Sequence, residues 1–177
     1  MKENKRSVYR RGAEDGLKLG PLLMLTVTLV GATPFVPWLT LPALASIVAV
    51  PVMVYILLKR GAAEDGVDST FSATWLHGTT MFFFSGLLLA LYIFVALRWW
   101  HPEYYERILD MVLEMLQNQP SAQDNEMVAQ MQQMKENGEM PTPFDTAIEM
   151  LYFTTVSGAM LSTVLALIVK FTNKFKK

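Results

Sequence analysis

Residues 71–97 read FSATWLHGTTMFFFSGLLLALYIFVAL, 27 residues without an Asp, Glu, Lys or Arg. At about 1.5 Å per residue a helix of that length covers roughly 40 Å, enough to cross about 30 Å of hydrocarbon. Three further stretches, 17–33, 39–58 and 150–169, repeat the pattern, with Lys18 as their one charged residue. A chain of 177 residues could in principle bury a soluble core, but runs of this length mark membrane spans. The whole-chain mean hydropathy of +0.28 conceals them, because a polar segment dilutes the apolar ones. Local windows are therefore the proper measure. The spans are placed at about 16–33, 39–58, 71–100 and 146–170, in a single membrane domain over 1–177.

Charge then orients the spans. Lys2, Lys5, Arg6, Arg10 and Arg11 precede the first span like the basic front of a secretory signal, and Ala43-Leu44-Ala45 offers a conceivable cleavage site. The segment is expected to be retained as a signal anchor. With a cytoplasmic N-terminus, 12 of the 15 Lys and Arg fall on the inner side, and Arg98, Arg107 and Lys135 fall outside. The positive-inside rule thus predicts that both termini are cytoplasmic. Pro42 and Pro51 would break a helix in water, but in lipid they predict a kinked second span. Thr33-Pro34-Phe35-Val36-Pro37-Trp38 reads as a tight outer turn. The inner loop 59–70 has glycines that mark turns, and Asp68 or Ser69 is placed to cap span three.

Between spans three and four, residues 102–145 hold nine acids against Arg107 and Lys135. Tyr104, Tyr105, Ile108, Leu109, Val112, Met115 and Leu116 recur at helical spacing, which predicts an amphipathic helix over about 102–118 with Pro102 at its first position. A second, weaker helix is expected over about 122–136. The outer helical insertion as a whole covers about 102–140. Met111, Met115, Met127, Met131 and Met134 form a candidate partner surface, because unbranched thioether chains repack around varied apolar shapes. Packing of the two short helices on each other or on the bilayer is the plainer use of that stripe. The fold class is therefore all-α: an integral membrane four-helix bundle with an extramembrane amphipathic helical insertion between spans three and four.

Small residues predict how the spans pack. Thr154, Gly158, Ser162 and Ala166 lie four apart in span four, as Gly12, Gly16 and Gly20 do at the start of span one. Such stripes let helices approach closely, within the bundle or in a homo-oligomer.

Chemistry is sparse. With no cysteine, disulfides, thiol nucleophiles and thiolate metal sites are excluded. A net charge of −1 predicts no nucleic-acid partner. His77 and His101 stand 24 residues apart, about 36 Å along a helix, and cannot share a metal ion. No nucleotide-binding, hydrolase or dinucleotide fingerprint is present, so no enzyme activity and no cofactor are expected. His77 is the titratable group read as lying well inside a span, which makes it a candidate functional residue, although a neutral imidazole bonded to a neighbouring helix is the commoner case. Glu149, at the outer entry of span four, is placed to face Arg98 or Arg107. His77, Arg98 and Glu149 together define a candidate ligand or lipid groove.

Several local features resemble a family of bacterial four-span inner-membrane proteins classed as a domain of unknown function. They are the basic start with Gly16 and Gly20, Arg60 with Glu64-Asp65-Gly66 and Phe71, His101-Pro102-Glu103-Tyr104, and Thr142-Pro143. Members often carry an aromatic after the loop glycine, where this chain has Val67. The resemblance implies four spans with an outer insertion, no activity, and association with lipid-linked glycosyltransferases. The expected function is that of a non-enzymatic subunit or scaffold in a membrane complex, with the bilayer and a protein partner or homo-oligomer as its contacts. A small transporter or lipid-handling protein, working through the groove near His77 and Glu149, is the alternative.

Overall fold

The computed structural model describes residues 7–66, 70–118 and 141–174, together with 129, 131–133 and 137. Every element is helical: α1 (Val8–Ala32), α2 (Thr40–Asp65), α3 (Phe71–Val95), α4 (Tyr104–Asn118) and α5 (Pro143–Lys174). A 3₁₀ turn, Pro37–Leu39, leads into α2, and a π-helical turn, Ala96–Trp100, closes α3. No strand occurs among the described residues. Four segments, Val8–Ala32, Pro37–Asp65, Phe71–Trp100 and Pro143–Thr172, are long and apolar enough to cross a membrane.

Local chemistry sets the helix starts. The Ser7 hydroxyl accepts from the Arg10 amide at the head of α1. Thr70 Oγ1 accepts from the Ala73 amide at the head of α3. Asp68 and Ser69, expected in that role, lie outside the described residues. At α5, Asp145 N donates to Thr142 Oγ1 and Thr142 N donates to Asp145 Oδ2, a reciprocal capping box with Pro143 at the first helical position. α2 runs unbroken through Pro51, and Pro42 falls in its first turn, where its missing N–H has no intrahelical acceptor to lose. The inner loop is shorter than its glycines imply. Gly61 is helical, and α2 ends only at Gly66, whose φ of 58° favours glycine.

The chain divides into two compact units, residues 1–91 with 148–177, and residues 92–147. In the first, glycine contacts give the helix directions. A Cβ at Gly12 would lie 2.7 Å from Thr80 Cβ, one at Gly16 2.7 Å from the Met81 carbonyl oxygen, and one at Gly20 2.7 Å from Leu88 Cδ1. α1 and α3 thus run parallel in near-backbone contact. Gly78 meets Ser162, Phe82 meets Gly158 and Gly86 meets Thr154, so α5 runs antiparallel to α3. The connections make an up-down-up-down bundle whose core holds Leu19, Val54, Leu58, Met81, Leu165 and Val169.

The inside and outside of this unit are distributed as lipid demands. Ser46, Ser85, Thr154 and Ser162 are buried, whereas Leu41, Tyr152, Phe153 and Met160 are 66–76% exposed. In water such an apolar exterior would be an aggregation hazard. In hydrocarbon burial of Leu brings little gain, and small residues turn inward so that backbones can approach.

In the second unit the π-helical turn bonds the His101 amide to the Ala96 carbonyl at 2.8 Å. His101 then leaves the helical region at φ −138°, ψ 59°, consistent with the bar on α-helical geometry before a proline. Pro102 therefore belongs to a turn, and α4 begins at Tyr104, two residues later than expected. Tyr104, Tyr105, Ile108, Leu109, Val112 and Leu113 lie on the more buried side of α4, with Glu106, Arg107, Asp110 and Glu114 exposed. Burial pushes the Tyr104 phenol above its ordinary pKa. Tyr105 Oη and Thr146 Oγ1 share a hydrogen bond that ties α4 to the start of α5.

If backbone proximity sets the α1–α3 spacing, Gly16→Leu should destabilise the bundle by about 1–3 kcal/mol, since the Met81 carbonyl cannot rotate away as a side chain could. Thermal unfolding of the detergent-solubilised chain measures this, with the exposed Leu17→Ala as the control. Equal stability of Gly16→Leu and wild type would show that the helices are free to separate.

Candidate functional site

The charged ends of α1 and α2 meet α3 in a single cluster. α1 places Arg11 and Asp15 one turn apart on the side that also carries Gly12 and Gly16. α2 contributes Gly61, Glu64 and Asp65 in its last turns, and α3 contributes His77. Arg11 Nη1 donates to the Gly61 carbonyl at 2.9 Å, and Nη2 straddles the Asp65 carboxylate at 2.7 and 2.8 Å. Glu64 stands 3.9 Å from Nη1. His77 Nε2 donates to Asp15 Oδ2 at 3.1 Å, and Lys18 reaches the other oxygen of that carboxylate at 2.6 Å. Gly61 makes room for the imidazole, because a Cβ there would lie 2.7 Å from both His77 Cε1 and Nδ1.

Burial gives the cluster its electrostatic weight. Arg11 is 6% exposed and His77 2%. Removing a guanidinium from water costs several kcal/mol, which is recovered only through close anionic and carbonyl partners, and Arg11 has both. Exposed cations surround this core: Arg10 pairs with Glu14 at 3.0 Å, Arg60 with Glu64 at 3.4 Å, and Lys18 with the part-buried Asp15. Lys59 lies over the Tyr55 ring. A shallow cleft between α1 and α2 is lined by Arg11, Glu14, Asp15, Lys18, Arg60, Gly61 and Glu64. Arg11 Nε is buried without a hydrogen-bond partner. Chemically the arrangement holds three helices in register and links an exposed ammonium, through one carboxylate, to a buried imidazole. Among the described residues no group of three His, Asp or Glu side chains is placed to hold a metal ion.

The residues singled out from sequence fall in different places. His77 sits in this cluster with Asp15 as its partner. Glu149 is exposed on α5, thirteen residues from Ser162, which is the residue that meets Gly78 beside His77. That separation is about 20 Å along the helix, so His77 and Glu149 do not share a groove. Arg98 is exposed in the π-helical turn. Met111 is half-buried on α4, Met115 is 63% exposed and Met131 is half-buried, while Met127 and Met134 lie outside the described residues. Gly12, Gly16 and Gly20 face α3, as do Thr154, Gly158 and Ser162, and Ala166 is fully buried.

Sequence reasoning missed Arg11, Asp15, Gly61 and Asp65. Arg11 reads as one of several basic residues before a span, and Gly61 reads as a turn. The available signal was the interleaving of Arg11 and Asp15 with the glycine stripe, which puts both charges on the side that must pack. His77 is accordingly one of three buried or nearly buried ionisable groups at this end, not an isolated one.

A family model described as "Protein of unknown function (DUF4199)" matches residues 16–170. The chain has no match among curated proteins or solved structures.

Arg11→Met leaves the part-buried Asp65 without its counter-ion and is expected to cost about 2–3 kcal/mol, whereas Arg10→Ala, which breaks an exposed pair, should cost less than about 1 kcal/mol. The double variant Arg11→Met/Asp65→Leu should recover most of the loss. Chemical or thermal unfolding of the four proteins in one detergent decides the point. Equal effects at positions 10 and 11 would show that the guanidinium is solvated.

Proposed function

We propose that this chain, which belongs to the DUF4199 family of proteins of unknown function, is a non-enzymatic subunit or scaffold of a membrane complex, seated in the bacterial inner membrane with both termini in the cytoplasm. The observation that carries the reading is the division of labour within the first unit. Ionisable groups at the charged end are bonded to one another across three helices, and the side walls present large apolar side chains such as Leu41, Tyr152, Phe153 and Met160. A bundle so arranged supplies a rigid apolar wall against which lipid and other spans can pack.

Helix direction supports the orientation. α1 and α3 run parallel and α5 antiparallel to them, so the start of α1 and the end of α5 emerge at the same end of the bundle. That end carries Arg10, Arg11, Lys18, Lys59, Arg60 and Lys170, the density of cations that marks a cytoplasmic face. A lipid-linked glycosyltransferase is the partner class to test first, following the family resemblance. The polar connection between α3 and α5 is the segment proposed to recognise it.

Alkaline phosphatase fused after Lys177 should be inactive, and green fluorescent protein at the same point should fluoresce. The opposite pair of results would invert the topology. Deleting residues 119–138 should abolish co-purification of the partner while the spans remain inserted, and undiminished recovery would remove the connection from the recognition surface.

A further inference from the structure

The cleft between α1 and α2 has a composition that the bundle itself does not require. Three cations, Arg11, Lys18 and Arg60, line it beside three acids, Glu14, Asp15 and Glu64. Arg11 binds Gly61 and Asp65 through its two terminal nitrogens, yet its Nε–H is buried and unpartnered, and Arg11 lines the cleft. A guanidinium buried to 6% exposure with one donor left over is an anomaly, since buried N–H groups are almost always paired. An acceptor supplied from outside the chain resolves it.

The position narrows the choice of acceptor. The cleft lies where the charged turns of α1 and α2 give way to the apolar runs beginning at Leu19 and, in the reverse sense, at Leu58. In a bilayer that level is occupied by headgroups. Exposed apolar side chains flank it, Leu17 on α1 and Ile56 on α2, at 57% exposure each. Acyl chains can lie along such residues while the headgroup enters the cleft.

Charge narrows the choice further. A lining of equal numbers of cations and acids repels a purely anionic group about as much as it attracts one. A zwitterion carrying a phosphodiester and a primary ammonium has a partner for each half. We infer that this cleft binds a phosphoethanolamine group, with the phosphate on Arg11 Nε, Lys18 and Arg60 and the ammonium on the carboxylates of Glu14 and Glu64. Lys18 must share its ammonium between Asp15, now at 2.6 Å, and the phosphate, and the Arg60–Glu64 pair must loosen. Arg60 and Glu64 are separated by 3.4 Å, with side chains 71% and 45% exposed, and exposed pairs of that kind contribute little. The ammonium must be able to donate hydrogen bonds, so a trimethylammonium headgroup fits poorly.

The test uses the full chain in detergent, titrated with dioleoyl phosphatidylethanolamine, phosphatidylcholine or phosphatidylglycerol and read by native mass spectrometry. Phosphatidylethanolamine should be retained about tenfold more tightly than either of the others, the size of effect expected when one charge-assisted hydrogen bond is gained or lost. The variant Lys18→Gln/Arg60→Gln changes two exposed side chains, leaves the Arg11–Asp65 pair intact, and should remove that preference. Lys170→Gln, exposed on α5 away from the cleft, should keep it. Free phosphoethanolamine distinguishes the source of the group: competition at millimolar concentration points to a soluble ligand, and lack of competition to the lipid. Equal retention of the three lipids by wild type, or a preference that survives in Lys18→Gln/Arg60→Gln, would overturn the assignment. Unfolding curves of each variant, which should overlay wild type, separate loss of the ligand from loss of the fold.

Discussion

A guanidinium cannot stay in a membrane-embedded bundle unless its charge is answered nearby, and the placement of Arg11 imposes that condition on three helices. Its donors reach Gly61 and Asp65 of α2, fifty and more residues along the chain. One turn further along α1, Asp15 takes the His77 imidazole of α3. The imidazole in turn needs the space left by the missing Cβ of Gly61, so the two interactions share a residue. Disturbing any one of Arg11, Gly61 or His77 disturbs the packing of the other two.

This dependence explains what could be read from the sequence and what could not. The spans were legible because hydropathy is a local property: 27 uncharged residues need no partner to declare themselves. The small-residue stripes at 12, 16, 20 and at 154, 158, 162 were legible for a similar reason, since a four-residue spacing fixes a helix face. The pairing of Arg11 with Asp65 is not local at all. A charge near the end of an apolar run is compatible with solvent, headgroup or counter-ion, and only the fold selects among them. Gly61 misled for a related reason, because a glycine in a polar stretch signals a turn unless a neighbouring helix needs the space. The start of α4 was displaced from Pro102 to Tyr104 by the π-helical turn, whose bond between His101 and Ala96 depends on how α3 ends.

The same cluster reconciles two features that pull in opposite directions. Bilayer burial favours small, apolar contacts, and α1, α3 and α5 supply them through glycine, serine and alanine. Charged residues in such a setting are costly, yet Arg11, Asp15 and His77 are all drawn into the packed region. Their location at one end resolves the conflict. Lys18 and Arg60 on the rim remain exposed, so the field of the buried pairs is partly screened by water and headgroups, while the middle of the bundle holds uncharged side chains such as Ser85 and Ser162.

Close packing alone would leave the register of the helices undetermined. Gly12, Gly16 and Gly20 repeat every four residues, so a slip of α1 along α3 by one turn, about 6 Å, would bring another glycine to two of the three contacts and preserve part of the fit. The charged contacts have no such repeat. After the same slip Arg11 would lose the Gly61 carbonyl and the Asp65 carboxylate together, and Asp15 would move off His77, leaving Arg11 and His77 buried without these partners. A stripe of small residues thus brings the helices together, and the polar cluster selects one alignment from several that the stripe permits. Fixing register is the best-attested use of buried charge, and it accounts for retaining costly residues where alanine or leucine would pack as well.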